Sequence, residues 1–88
     1  MLAIIKNDLG ITTTAFDVVL QEMIDECKHQ LDILGVINDE ANVLIRKAIR
    51  LYVRANFGEP DDTEMLIGIY QSFVASLMQY GEYEKVAT

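Results

Sequence analysis

The 88-residue chain has one cysteine, one proline, one histidine and seven basic residues against fourteen acidic ones. A lone Cys27 excludes an internal disulfide, and no cysteine or histidine spacing spells a zinc site. A domain of this size buries roughly 60 to 65% of its unfolded surface, so its stability alone is marginal, and oligomerisation is the staple that remains. The shortage of basic residues leaves a net charge of −7 and a pI near 4.4. That balance disfavours nucleic acid or an anionic membrane as the partner of the whole surface. Catalysis is equally poorly provided for: there is no glycine-rich phosphate loop and no serine or cysteine beside a plausible base. Neither an enzymatic activity nor a cofactor is therefore expected. The opening MLAIIKNDLG meets Lys6 and Asp8 too early for a signal peptide, which with the single thiol predicts a reducing, cytoplasmic origin.

What the chain does have is apolar surface and well-placed glycines. Hydrophobic residues make up 51% of the sequence, more than so small a core absorbs, and this again points to self-association. Gly10, Gly35, Gly58 and Gly81 each follow an apolar-periodic segment, where a helix C-cap favours a left-handed residue. Four helices result. Gly68 falls inside the last of them, as a tolerated cost or a mark of close backbone approach.

Leu2, Ile5 and Leu9 share one face of a short first helix that must dock to persist. Thr14, with Asp17 three residues on, predicts the start of a second helix reaching about Leu34. Its expected inner stripe is Phe16, Val19, Leu20, Met23, Ile24, Cys27, Leu31 and Leu34. Residues 39–58 predict the third helix, capped by Asn38 or Asp39, with Ala41, Leu44, Ile45, Ala48, Ile49, Leu51, Tyr52 and Ala55 in one apolar sector at 100° per residue. Pro60 then stops any continuation, and the acidic turn of Asp61, Asp62 and Glu64 suits the start of a fourth helix. From Met65 to Gly81 that helix carries no charge. Leu66, Ile69, Tyr70, Phe73, Leu77 and Tyr80 form one stripe, while Ile67, Val74 and Met78 extend apolar character to a second side, as expected of a helix held between subunits. Gln71, Ser72, Ser76 and Gln79 interrupt it too often for a membrane span.

The expected fold is all-α: a small bundle of a short N-terminal helix and three longer antiparallel helices over residues 1–81, with a tail, 82–88, that stays mobile until bound. Two polar faces stand out. Arg46, Lys47, Arg50 and Arg54 place four of the seven basic residues on one sector of the third helix. The second helix opposes them with Asp17, Glu22, Asp25, Glu26 and Asp32 against Lys28, a net −4. Glu22, Asp25, Glu26 and His29 share a face that supplies half a metal site at most, with no second ligand-bearing helix, so a solvated acidic face is the favoured reading. No Asn or Gln interleaves the arginines to read bases. A protein partner, the acidic helix of this chain or of a neighbouring copy, suits the stripe better than DNA.

The segments LGITTTAFDVVLQEMIDECKHQLDILGV and LIRKAIRLYVRANFGEPDD, followed by IYQSFVASL and a nearby tyrosine, resemble the small head-tail connector (adaptor) proteins of long-tailed phages and prophages, often labelled DNA packaging proteins. The resemblance spans residues 2–83, with ITTTAFD and AIRLYVRANFG carrying most of it. It implies an all-helical subunit of a ring beneath the dodecameric portal, dodecameric itself there, that extends the DNA channel and joins capsid to tail at the virion head-tail interface after assembly in the bacterial cytoplasm. The implied partners are further copies of the chain, the portal protein and a downstream neck or tail-completion protein, with DNA passing through the lumen without sequence-specific binding and no membrane involved.

On this view Arg46, Lys47, Arg50, Arg54, Ile67, Val74 and Met78 are expected between subunits. Glu22, Asp25, Glu26 and Asp32 are expected to face the lumen or the neighbour's basic stripe. Gly58, Glu59, Pro60, Asp61, Tyr83, Glu84 and Lys85 correspond to regions that contact the portal or neck. The competing reading is a small acidic interaction module or DNA-mimicking inhibitor of a host protein, monomeric or dimeric. A DNA-binding regulator ranks third and an enzyme last.

Overall fold

In a computed structural model, described over residues 1–57 and 62–80, the chain forms four helices: α1 (Leu2–Leu9), α2 (Asp17–Ile33), α3 (Val43–Phe57) and α4 (Thr63–Met78). The domain is all-α, as the periodicity predicts. Lys47 meets Phe73 and Tyr52 meets Tyr70, so α3 and α4 run antiparallel. Phe16 meets Phe57 while Lys28 meets Glu40, which sets α2 antiparallel to α3 as well. Helix α3 is the hub, packing against each of the other three.

Two glycines end helices by the same device. Gly10 (φ 69°) and Gly35 (φ 78°) are left-handed, which a residue without Cβ adopts at no steric cost. After α2, the Gly35 N–H donates to the Asp32 carbonyl at 3.1 Å and the Val36 N–H reaches back to Leu31 at 2.9 Å. After α1, the Gly10 N–H donates to Asn7 and the Ile11 N–H to Lys6. Both sets are the paired bonds of a Schellman motif, which satisfies carbonyls that the helix leaves open.

The helix starts differ from expectation. Helix α3 begins at Val43, four residues after Asp39, because Asn42 is the better-placed cap: its Oδ1 accepts from the Leu44 and Ile45 N–H groups at 2.9 and 3.3 Å. Asp39 instead closes a turn, its Oδ1 accepting from the Ala41 N–H and its carbonyl from Asn42. At α2, Thr14 contributes its carbonyl to the Asp17 N–H and no side-chain cap, since Phe16 takes the cap position, and the Asp17 carboxylate pairs with Lys6 of α1 at 2.8 Å. The caps expected at Gly58 and Gly81, the Pro60 break and the 82–88 tail lie outside the described residues.

The core joins Ile5, Leu20, Ile24, Cys27, Leu31 and Val36 to Ile45, Ala48, Ile49, Tyr52 and Val53, and to Tyr70, Val74 and Leu77. Val53, absent from the expected apolar sector, is fully buried. A hub helix is covered on more than one side, so its buried arc is wider than one stripe. Helix α4 is rotated from its expected orientation: Tyr70, Val74 and Leu77 face inward, whereas Ile69 and Tyr80 face solvent. Phe16, Val19 and Leu34, expected inside, are the exposed ends of the α2 stripe, although the Phe16 ring packs edge-on against Phe57 at 5.4 Å. No described helix is long and apolar enough to cross a membrane.

Candidate functional site

The basic stripe of α3 divides into two parts with different employment. Arg46 is half-buried and reaches back, its guanidinium donating to the Glu40 and Ala41 carbonyls at 3.0 and 3.1 Å. It pins the turn before α3 and is withdrawn from the surface assigned to it. Lys47, Arg50 and Arg54 stay exposed on one line. The Lys47 ammonium lies 5.0 Å from the Phe73 ring centre, a cation–π contact with α4. Arg50 donates through Nε and Nη2 to the two oxygens of Asp8 in α1, at 2.7 and 2.8 Å. That bond and the Asp8 charge hold the guanidinium proton more tightly than usual.

These three cations border a groove of about 410 Å³ between α1 and α3, completed by Asp8, Val43, Leu44 and Leu51. The groove is amphipathic: half-buried leucines form its apolar part, and the cations carry a net +2 once Asp8 is counted against them. The partner expected within the fold was the acidic face of α2. The structure instead turns Arg50 to α1, because α1 lies against both α2 and α3 and brings Asp8 within reach.

On α2 the four acidic candidates separate likewise. Glu22 and Asp25 are exposed, and Asp25 accepts from Gln21 one turn away at 3.0 Å. Asp32 is half-buried near the helix end. Glu26 serves the interior: the Tyr52 hydroxyl donates to its Oε1 and Gln30 Nε2 donates to the Tyr52 oxygen. Beside them the Cys27 sulfur lies 3.6 Å from the Tyr70 hydroxyl, and the Tyr52 and Tyr70 rings meet edge-on at 5.3 Å. Burial raises the Tyr52 pKa, helped by the Glu26 carboxylate, and raises that of Tyr70, helped by Cys27. Burial likewise pushes the Cys27 thiol up to about 11. The thiol is a poor nucleophile in consequence, and this cluster ties α2, α3 and α4 together.

Two further recesses flank the cluster. One of about 310 Å³ is lined by Glu26, Gln30, Tyr52, Asn56, Ile67 and Tyr70 among others; the second, of about 350 Å³, runs on past Leu34, Val74 and Met78. Of the apolar residues expected between subunits, Met78 is half-exposed and Ile67 half-buried. Val74 is only 3% exposed and packs in the monomer core, with an edge on the second recess. Gly58, Glu59, Pro60, Asp61, Tyr83, Glu84 and Lys85 lie outside the described residues.

Among the described residues no group of three or more His, Cys, Asp or Glu side chains is placed to hold a metal ion. Compared with known proteins, the chain matches no family model, no curated protein and no solved structure. Sequence reasoning missed Asp8, which faces Arg50 across 42 positions, and two exposed valines, Val18 on α2 and Val43 on α3. The valines were findable, because each precedes its charged residues by one helical turn.

Proposed function

We propose that the chain is a structural head-tail connector of a phage or prophage, a ring-forming adaptor that sits under a portal, lengthens the DNA channel and joins capsid to tail. The observation that carries this reading is the pair of exposed, oppositely charged faces on one small domain, the Lys47, Arg50 and Arg54 face of α3 and the Glu22 and Asp25 face of α2. A protein with two complementary faces on separate helices associates head to tail, and such contacts generate rings when the rotation closes. The excess of apolar surface and the resemblance of residues 2–83 to connector sequences support the same reading. Net charge of −7 suits a conduit, since a carboxylate-rich lumen repels phosphates and lets duplex DNA slide without sticking.

On this reading the partners are further copies, the portal protein and a neck or tail-completion protein, and the site of action is the virion head-tail interface. Light scattering of the purified protein, alone and mixed with a portal protein, tests it. Ring-sized oligomers, formed freely or on the portal, are the expected result. A stable dimer indifferent to portals would reject the connector and favour the acidic interaction module.

A further inference from the structure

We infer that the outer face of α2 in one copy docks into the α1–α3 groove of the next, with Glu22 and Asp25 meeting the cations of Lys47, Arg50 and Arg54. The inference rests on the ring-forming reading above and adds to it the contact that builds the ring.

Three independent features of the molecule support it. The first is spacing: Val18, Glu22, Asp25 and His29 follow one another at intervals of four, three and four, and Val43, Lys47, Arg50 and Arg54 repeat the same intervals. Each set is therefore one straight line of side chains along its helix, and the two lines match in length. The second is exposure. Val18, Ile33 and Val43 are the most exposed large aliphatic side chains among the described residues, at 72, 70 and 65%, and all three lie on these two faces. Their apolar surface has no use within one copy.

The third feature is charge. The groove carries +2, from Lys47, Arg50 and Arg54 less Asp8, and Glu22 with Asp25 supplies −2. Neither face is neutralised at home: among the described residues Glu22 and Arg54 have no ionic or hydrogen-bond partner, and Asp25 has the uncharged Gln21. The cations already in use keep room for a carboxylate. Lys47 lies against Phe73 on one side, and the Arg50 side chain remains 49% exposed beyond Asp8. Because the intervals match, two carboxylates face two cations whether the docked helix runs parallel or antiparallel to α3. The faces share no residue, so after the first contact one copy keeps its groove free and the other its α2 face, and further copies add at both ends.

Two doubly reversed full-length variants test this contact: Glu22→Lys with Asp25→Lys, and Lys47→Glu with Arg54→Glu. Arg50 stays intact to preserve its bond to Asp8. Circular dichroism and thermal melting verify that each variant folds, and sedimentation at about 1 mM protein reads self-association. Wild-type protein is expected to associate, more weakly as salt is raised through the range where the Debye length shrinks. Each variant alone is expected to lose at least about tenfold in association, and an equimolar mixture of the two to regain it, since in an alternating assembly the reversed groove, at net −2 with Arg50 and Asp8 counted, meets the reversed α2 face at +2, and the other contact is the wild-type one. A monomeric wild type at this concentration, or folded variants that associate unchanged, or a mixture that stays dissociated, would each overturn the inference. Its failure is separable from that of the connector reading. Portal-bound rings indifferent to charge reversal sink this contact alone, whereas mixture-rescued oligomers that ignore the portal sink the connector alone.

Discussion

Arg50 of α3 grips Asp8 of α1 through two parallel bonds of 2.7 and 2.8 Å, across 42 positions of sequence. It joins the core contact of Ile5 in holding an eight-residue helix that would not persist alone. An Asp8→Asn substitution keeps the volume and removes the charge, so the expected loss is roughly 0.5 to 1 kcal/mol, the range of a well-formed but exposed pair. Hydrogen exchange locates it: protection in residues 2–9 is expected to fall while α3 and α4 keep theirs. An equal loss in every helix would show that α1 is not held separately.

Alkaline pH is expected to destabilise the fold. Cys27, Tyr52 and Tyr70 all have pKa values raised by burial in the folded state, from ordinary values of 9.0, 10.0 and 10.0. A folded state that holds protons more tightly than the unfolded one loses stability as pH rises, because the unfolded chain releases them first. The contribution is fully present below about pH 9 and declines from there, the cysteine part fading through about 11 and the tyrosine part beyond 10. Melting temperature measured from pH 7 to 11 should hold and then drop. A flat profile to pH 11 would contradict the buried cluster.

Cys27 itself should be silent toward thiol reagents in the native protein. It is fully buried, and its thiol is pushed up to about 11, so little thiolate exists at neutral pH. Reaction with a chromogenic disulfide at pH 8 is expected to follow opening of the α2–α3–α4 core, accelerating with urea in step with global unfolding. Rapid labelling without denaturant would place the sulfur elsewhere.

Two glycines should respond to alanine with opposite signs. Gly68 is an exposed α4 position where an added Cβ meets nothing within 4 Å, so Gly68→Ala is expected to stabilise by about 1 kcal/mol through helix propensity. Gly35 also has open space around it, yet its φ of 78° strains any residue with a Cβ, and Gly35→Ala should cost roughly 1 to 2 kcal/mol. For a domain of this size each kcal/mol moves the melting temperature by about 4 to 8 °C. The pair is thus separable by thermal melting alone.

Much of the fold was legible because its punctuation is local. Gly10 and Gly35 mark helix ends by a backbone requirement that a single residue meets, and the apolar spacing of Leu20, Ile24, Cys27 and Leu31 identifies the inward face of α2. Helix α4 was less legible for a physical reason: from Met65 onward it has no charge to mark the solvent side, so periodicity put Ile69 in the main stripe and Val74 on a second side. Packing against Tyr52 and α3 chose Tyr70 and Val74. The start of α3 depended on a contest between Asp39 and Asn42 that composition does not decide. Of the surfaces, the charged lines of α2 and α3 were visible as helical spacing, whereas the Arg50 to Asp8 bond and the turnback of Arg46 depend on where α1 docks and how the preceding turn closes.

The hub position of α3 bears on how the chain leaves the ribosome. Leu20, Ile24 and Leu31 have no adequate cover until residues 43–57 have been synthesised, since α1 is too short to shield them. Until then the apolar stripe of α2 travels uncovered, and α4 can complete the cover of α3 only after α3 itself has been made. Chaperone dependence during synthesis, rather than slow refolding afterwards, is the hazard that this order of events creates.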